Sequence, residues 1–184
     1  MKATPSTLFG LLLCLAMPPA GAAELDLTYT NVSNTTANLG TIGTADWAYW
    51  NTTANPAASG APANQKSGAT IIGDAYTVGA GNLRGTISPT KPLITFDYGD
   101  GTSPASGSIA NPTGLFNTTL QTAGRGMGLN VTLPTTGTYQ VSVWVAVFGE
   151  TGRFDASLPG ATAVTDSSLT WGTTGKGVAR YDLI

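Results

Sequence analysis

Histidine is absent from the 184-residue chain, and the single cysteine, Cys14, falls inside an apolar run near the N-terminus. Lack of imidazole excludes Ser-His-Asp and Cys-His nucleophiles, the H-E-x-x-H zinc helix and histidine-based metal sites. With no thiol after Cys14, the rest of the chain has no thiolate ligand and no disulfide, so its stability must come from packing. Charge is scarce too: 10% of residues are charged, and Lys66, Arg84, Lys91, Arg125, Arg153, Lys176 and Arg180 form no basic cluster. Nucleic acid is therefore not an expected partner, because neutralising phosphates takes a concentrated positive face. No phosphate loop or dinucleotide fingerprint is present, the glycines being scattered at turns.

What the chain does have is 41% apolar residues, 24 glycines, 11 prolines and abundant Thr, Asn and Ser. That composition describes one globular domain rather than a charge-rich disordered chain. Its start has a different character. Lys2 precedes the run Leu8 to Met17, which a Pro18-Pro19 break and the small residues Ala20-Gly21-Ala22-Ala23 follow. This is the three-part layout of a secretory signal. The run is about half the length a membrane-spanning helix needs, so no transmembrane span is expected. Leu13 stands before Cys14 where a lipoprotein signal needs a small residue, which argues against lipid attachment. The expected organisation is a signal peptide helix at 1–23 and a single exported domain at 24–184, in a bacterial envelope or extracellular setting.

After the leader, alternation replaces helical periodicity. Tyr139, Val141, Val143, Val145 and Val147 line one face of a strand, with Trp144, Ala146 and Phe148 on the other. That pattern predicts a central strand covered on both sides. Gly149-Glu150-Thr151-Gly152 reads as a hairpin loop returning through Arg153 to Leu158, and Met127, Leu129, Val131 and Leu133 as the preceding strand, joined by a turn at Pro134 to Gly137. Shorter candidates are Leu25 to Tyr29, Thr44 to Trp50, Ala69 to Ile72, Leu93 to Tyr98 and Ser168 to Trp171. Pro56, Gly60 and Pro62 break the alanine-rich residues 54 to 69 into a surface loop. Short strands between Gly, Pro and Asn clusters predict an all-β fold, an antiparallel β-sandwich or jelly roll. The strand pattern from Val178 to Ile184 stops without a turn, so the sandwich is expected to lack its last strand or strands.

Thr44-Ala45-Asp46-Trp47-Ala48-Tyr49-Trp50, then Phe96-Asp97-Tyr98-Gly99-Asp100-Gly101-Thr102, and the Val-rich strand with Phe154 to Leu158 together resemble an uncharacterised secreted bacterial module with a T-x-D-W-A-x-W signature. The resemblance covers residues 40 to 184 and implies a β-sandwich at the cell surface or outside the cell, with no activity attached. Phe96 to Gly101 and Gly137-Thr138-Tyr139 are also similar to the W-D-F-G-D-G turn and later G-T-Y of polycystic-kidney-disease-type immunoglobulin-like repeats, although here the intervening stretch is longer than that repeat's.

The remaining chemistry belongs to carboxylates: glycoside hydrolysis by two acids, or calcium held by oxygen ligands. Asp97 and Asp100 are the best-spaced pair, but the calcium-loop pattern is not met, and shaping a turn explains Asp100-Gly101 as well. Glu150, at a hairpin tip, is an ordinary place for a solvated charge. Asp46, Trp47, Tyr49 and Trp50 make a candidate sugar site, since aromatic faces stack on sugar rings and a neighbouring carboxylate accepts hydroxyl hydrogen bonds; the same rings would serve as core plugs. Sequons at Asn31, Asn34, Asn51, Asn117 and Asn130 arise freely in an Asn- and Thr-rich chain.

The expectation is a non-catalytic secreted or cell-surface structural or interaction module, with no cofactor, whose partners are polysaccharide or other envelope proteins. The alternatives are a carbohydrate-binding module and, more remotely, a carboxylate-dependent glycosidase. N-terminal sequencing of the exported protein should begin at Ala23 or Glu24; an exported chain that still carries Met1 would contradict the leader.

Overall fold

The computed structural model describes residues 23–32, 34–50, 60–85, 94–118, 124–147, 151–170 and 177–184. The leader before Ala23, the Asn51 sequon, Phe148, Glu150 and Trp171 lie outside the described residues. The elements are β1 (Leu27–Asn31), β2 (Thr35–Asn38), a helical turn α1 (Leu39–Ile42), β3 (Ala48–Tyr49), β4 (Asn64–Gln65), β5 (Tyr76–Val78), β6 (Leu83–Gly85), β7 (Ile94–Tyr98), β8 (Gly107–Ala110), β9 (Leu115–Asn117), β10 (Gly126–Gly128), β11 (Val141–Val147), β12 (Phe154–Ala156), β13 (Val164–Asp166) and β14 (Gly177–Leu183). Among the described residues strand makes up 47% against 3% helix, so the fold is all-β.

Two three-stranded sheets carry the architecture. The first is ordered β1-β14-β11 with antiparallel pairing throughout. The second is β2-β7-β8, in which β2 runs parallel to β7 and β8 antiparallel to it. The described residues also form the two-stranded ribbons β3/β4, β5/β10, β6/β9 and β12/β13.

Side-chain alternation gives the first sheet two different faces. On one, Leu27, Tyr29, Val145 and Val147 pack with fully or nearly fully buried Leu169, Ala179 and Tyr181, and Phe154 closes the cluster. The Tyr181 ring lies parallel to Phe154 at 4.2 Å, and its hydroxyl donates to Asp166 at 3.1 Å. Burial, then the Asp166 carboxylate, push the Tyr181 phenol well above its ordinary value. Burying side chains of this size contributes about 1.5–3 kcal/mol each. On the other face, Trp144 meets Phe96 of β7 edge-on at 5.2 Å, which joins the two sheets. The Val-rich strand is thus packed on its valine face, while on the other only Trp144 is in contact with the second sheet and Ala146 is exposed.

Its position in the sheet is a correction. Among the described residues β11 pairs with β14 alone, and β14, the segment expected to lack a partner, is the middle strand. Ile184 also exchanges backbone hydrogen bonds with Asp26. Among the described residues the hairpins expected on either side of β11 are not formed either. Phe154–Ala156 pairs with Val164–Asp166, and Gly126–Gly128 pairs with Tyr76–Val78, leaving Met127 42% exposed. Thr44 to Trp50 narrows to the two residues of β3, and Ala69 to Ile72 to one bridge between Ile72 and Val131. The sandwich is also not wholly antiparallel, because β2 adds parallel to β7. A period of two fixes which way side chains point but carries no information about which strand lies alongside.

Close approach requires glycine at several positions, Gly60 and Gly128 among them. A Cβ on Gly60 would fall 1.6 Å from the Ala75 carbonyl oxygen, and one on Gly128 would fall 2.4 Å from the Tyr76 ring. Gly60 also accepts hydrogen bonds through its carbonyl, from the Ala75 amide at 2.9 Å and from the Trp50 indole at 2.7 Å. Gly60→Ala should therefore destabilise the domain by about 1–3 kcal/mol or more in urea unfolding, because backbone has to move to admit the methyl group. A neutral result would show that the 60 and 75 segments are not in contact.

Candidate functional site

The D-W-A-x-W segment, the turn after β7 and β4 converge on Trp47. Asn38 caps α1 by accepting from the Thr41 amide at 3.0 Å, and the chain then bends at Gly43, where a Cβ would sit 2.4 Å from the Asp46 carbonyl. This bend delivers Asp46 and Trp47 to the end of the second sheet. Asp46 Oδ1 accepts from the Trp47 amide at 2.7 Å, while Oδ2 accepts from the amides of Ile71 and Ile72 at 2.9 and 2.8 Å. Three backbone donors share the carboxylate, which pins residues 71–72 to the motif.

Trp47 is 3% exposed. Tyr49 stacks parallel to it at 6.2 Å and Tyr98 lies tilted at 5.1 Å, so its ring belongs to the core formed with Ala37, Leu39, Ile94 and Phe96. Its indole donates to Asp100 Oδ1 at 2.7 Å, and Lys66 Nζ makes a salt bridge with Asp100 Oδ2. The Lys66 ammonium and then the Trp47 indole hold the Asp100 carboxyl below its ordinary 3.8. Tyr49 is half-buried and approaches the Tyr98 hydroxyl at 3.4 Å; burial first, then that hydroxyl, push its phenol up to about 12.

Asn64 completes the knot. It is 4% exposed; its Oδ1 accepts from the amides of Gln65, Thr102 and Ser103 at 2.9, 3.0 and 3.2 Å, and its Nδ2 donates to the Pro104 carbonyl at 2.9 Å. The Gly101 turn is folded tightly beneath: a Cβ there would meet the Pro104 carbonyl at 2.7 Å and the Trp47 ring at 3.1 Å.

Of the candidate sugar residues Asp46 and Trp47 are packed into a joint, while Tyr49 and Trp50 are half-buried beside it. Trp47 offers no ring face to solvent, Asp46 is spent on backbone amides, and Trp50 is half-buried with its indole on Gly60. The calcium candidates are turned apart. Asp97 lies on the side of β7 opposite buried Phe96 and Tyr98, whereas Asp100 bends toward Trp47 within their layer. Among the described residues no three acidic side chains gather as a metal site would need. Asn117 of the sequons is fully buried, and its Nδ2 donates to the carbonyls of Val78, Ala80 and Gly126; Asn31, Asn34 and Asn130 are exposed.

Two other features were not legible beforehand. A shallow polar cavity of about 280 Å³ at one end of the second sheet is lined by Asn34, Thr35, Thr36, Ile94, Thr95 and Asn111, none of them an acid or base. On the first sheet, Asp182 is 7% exposed and ion-paired with Arg180 on the face that also carries Trp144. No family model, curated protein or solved structure matches the chain.

Because the Asp100 carboxyl is held below its ordinary value, the stability it contributes is complete above that value and is lost as pH falls through the depressed one. The unfolding free energy of the unsubstituted protein should therefore exceed that of Asp100→Asn by a constant margin above about pH 5, and the margin should shrink below about pH 4. Denaturant titrations at stepped pH measure it. A margin unchanged down to about pH 2 would place the stabilisation elsewhere.

Proposed function

We propose that the chain is a non-catalytic interaction module, exported from the cell and held at its surface or released. The observation that carries this reading is how the carboxylates of the aromatic motif are used: Asp46 binds three amides and Asp100 an indole and an ammonium, so both brace the fold. The lack of histidine, and of cysteine after Cys14, supports it from the inventory side. The leader-like start and the resemblance to a secreted bacterial module support the location.

Carbohydrate binding is the more specific second reading. The observation favouring it is the polar face around Arg180, where a half-exposed guanidinium stands among hydroxyl and amide side chains.

Incubation of the purified protein with a panel of polysaccharides and chromogenic glycosides, followed by reducing-end assay, should show no turnover. Turnover that disappears in the Asp97→Ala, Asp100→Ala or Glu150→Ala variants would overturn the non-catalytic reading and restore the two-carboxylate enzyme.

A further inference from the structure

Asp182 and Arg180 stand two residues apart on β14, so both project from the same face of the middle strand. Thr28 and Ser142 flank Asp182 across the sheet, and Thr30 and Trp144 flank Arg180. The Asp182 side chain is 9% exposed and fully bonded: Oδ1 accepts from Ser142 Oγ at 2.5 Å and Gln140 Nε2 at 3.2 Å, and Oδ2 from Arg180 Nε at 2.8 Å and Nη2 at 2.7 Å.

A charged pair of this kind is an expensive way to fill a sheet position. Withdrawing a carboxylate from water opposes folding, and a Thr or Val at residue 182 would satisfy the strand without it. What the pair achieves is orientation. A guanidinium has five N–H groups in a rigid plane, and two are fixed on Asp182. The other three belong to a side chain that is 35% exposed. A cation fixed from below, with donors left over in a fork, matches a carboxylate arriving from solvent.

The surroundings narrow the ligand further. Thr28, Thr30 and Gln140 are exposed, and Ser142 and Trp144 are half-buried, so one cation is set among hydroxyls and an amide with an indole on its β11 side. That arrangement suits a ligand with many hydroxyls and one carboxylate per unit. The geometry points to this face as a binding site for uronic-acid polysaccharide, with Arg180 taking the sugar carboxylate and Asp182 positioning Arg180. The inference rests on the interaction-module reading and names the ligand class for it.

Affinity electrophoresis of the purified protein through gels containing polygalacturonate, alginate or neutral dextran tests it. Polyuronate should retard the protein and dextran should not. Arg180→Gln should weaken retardation about tenfold or more while its thermal unfolding stays cooperative, since a charge-assisted hydrogen bond to the sugar carboxylate is lost. Arg180→Lys should fail to restore it, because an ammonium has no fork.

Undiminished retardation of Arg180→Gln, full rescue by Lys, or no retardation by either polyuronate at millimolar uronate would overturn the inference. So would competition by polyglutamate as strong as by galacturonate oligomers, which would mean a peptide carboxylate is the ligand. Binding to dextran alone would remove the uronate assignment while leaving an interaction module. Release of reducing ends would instead remove the non-catalytic reading.

Discussion

The hydrogen bond from the Trp47 indole to Asp100, between residues 53 apart in sequence, is the joint on which the second sheet and its loops depend. Trp47 supplies a large apolar body to the core and a single polar atom that must be satisfied once buried. Asp100 satisfies it, and that fixes the turn after β7 over the end of the sheet. The turn in turn sets Asn64, whose amide is buried among the backbone groups of residues 102–104. Lys66 closes the circuit on the second carboxylate oxygen. Loss of the indole N–H would leave the Asp100 carboxylate to Lys66 alone, with Asn64 still holding residues 102–104 of the turn.

This style of construction recurs across the molecule and follows from its composition. Strands of two to seven residues leave much of the backbone outside regular ladders. Buried amides and carbonyls there still need partners. Asp46 serves residues 71–72, Asn64 serves the 101–104 turn, and Asn117 draws together the carbonyls of Val78, Ala80 and Gly126. A chain with no cysteine after position 14 thus joins distant segments through side-chain to backbone hydrogen bonds. Asp155 and Asp166 show the same use at the surface. Thr165 and then Arg153 hold Asp155 below its ordinary value. For Asp166, desolvation works upward but is outweighed by hydrogen bonds from Ser168 and Tyr181, so its carboxyl also stays low. Such carboxylates are committed to the fold, which limits what is left for chemistry.

Asp182 differs from these in what it serves. Its partners include an arginine with donors still free, on the open polar part of a sheet whose other face is buried. The same physical device, a carboxylate saturated with donors, braces loops in one place and aims a cation outward in another.

The aromatic and apolar content of the strands was readable directly. Val145 and Val147 face one cluster and Trp144 the other because alternation is a local property of extended backbone. The aromatic motif was readable as a special segment, yet whether Trp47 faced solvent or core was not, since Asn64, Lys66 and Asp100 carry no local sign that they meet it. Arg180 and Asp182 looked like ordinary strand residues for the same reason. What the sequence by itself determined is the all-β character, the two faces of the Val-rich strand, and the missing imidazole and thiol chemistry. Tertiary structure alone decided that β14 lies between β1 and β11, that β2 adds parallel to β7, and that the Trp47 ring lies in the core. Those choices depend on energies between segments tens of residues apart, which only the folded chain brings into contact.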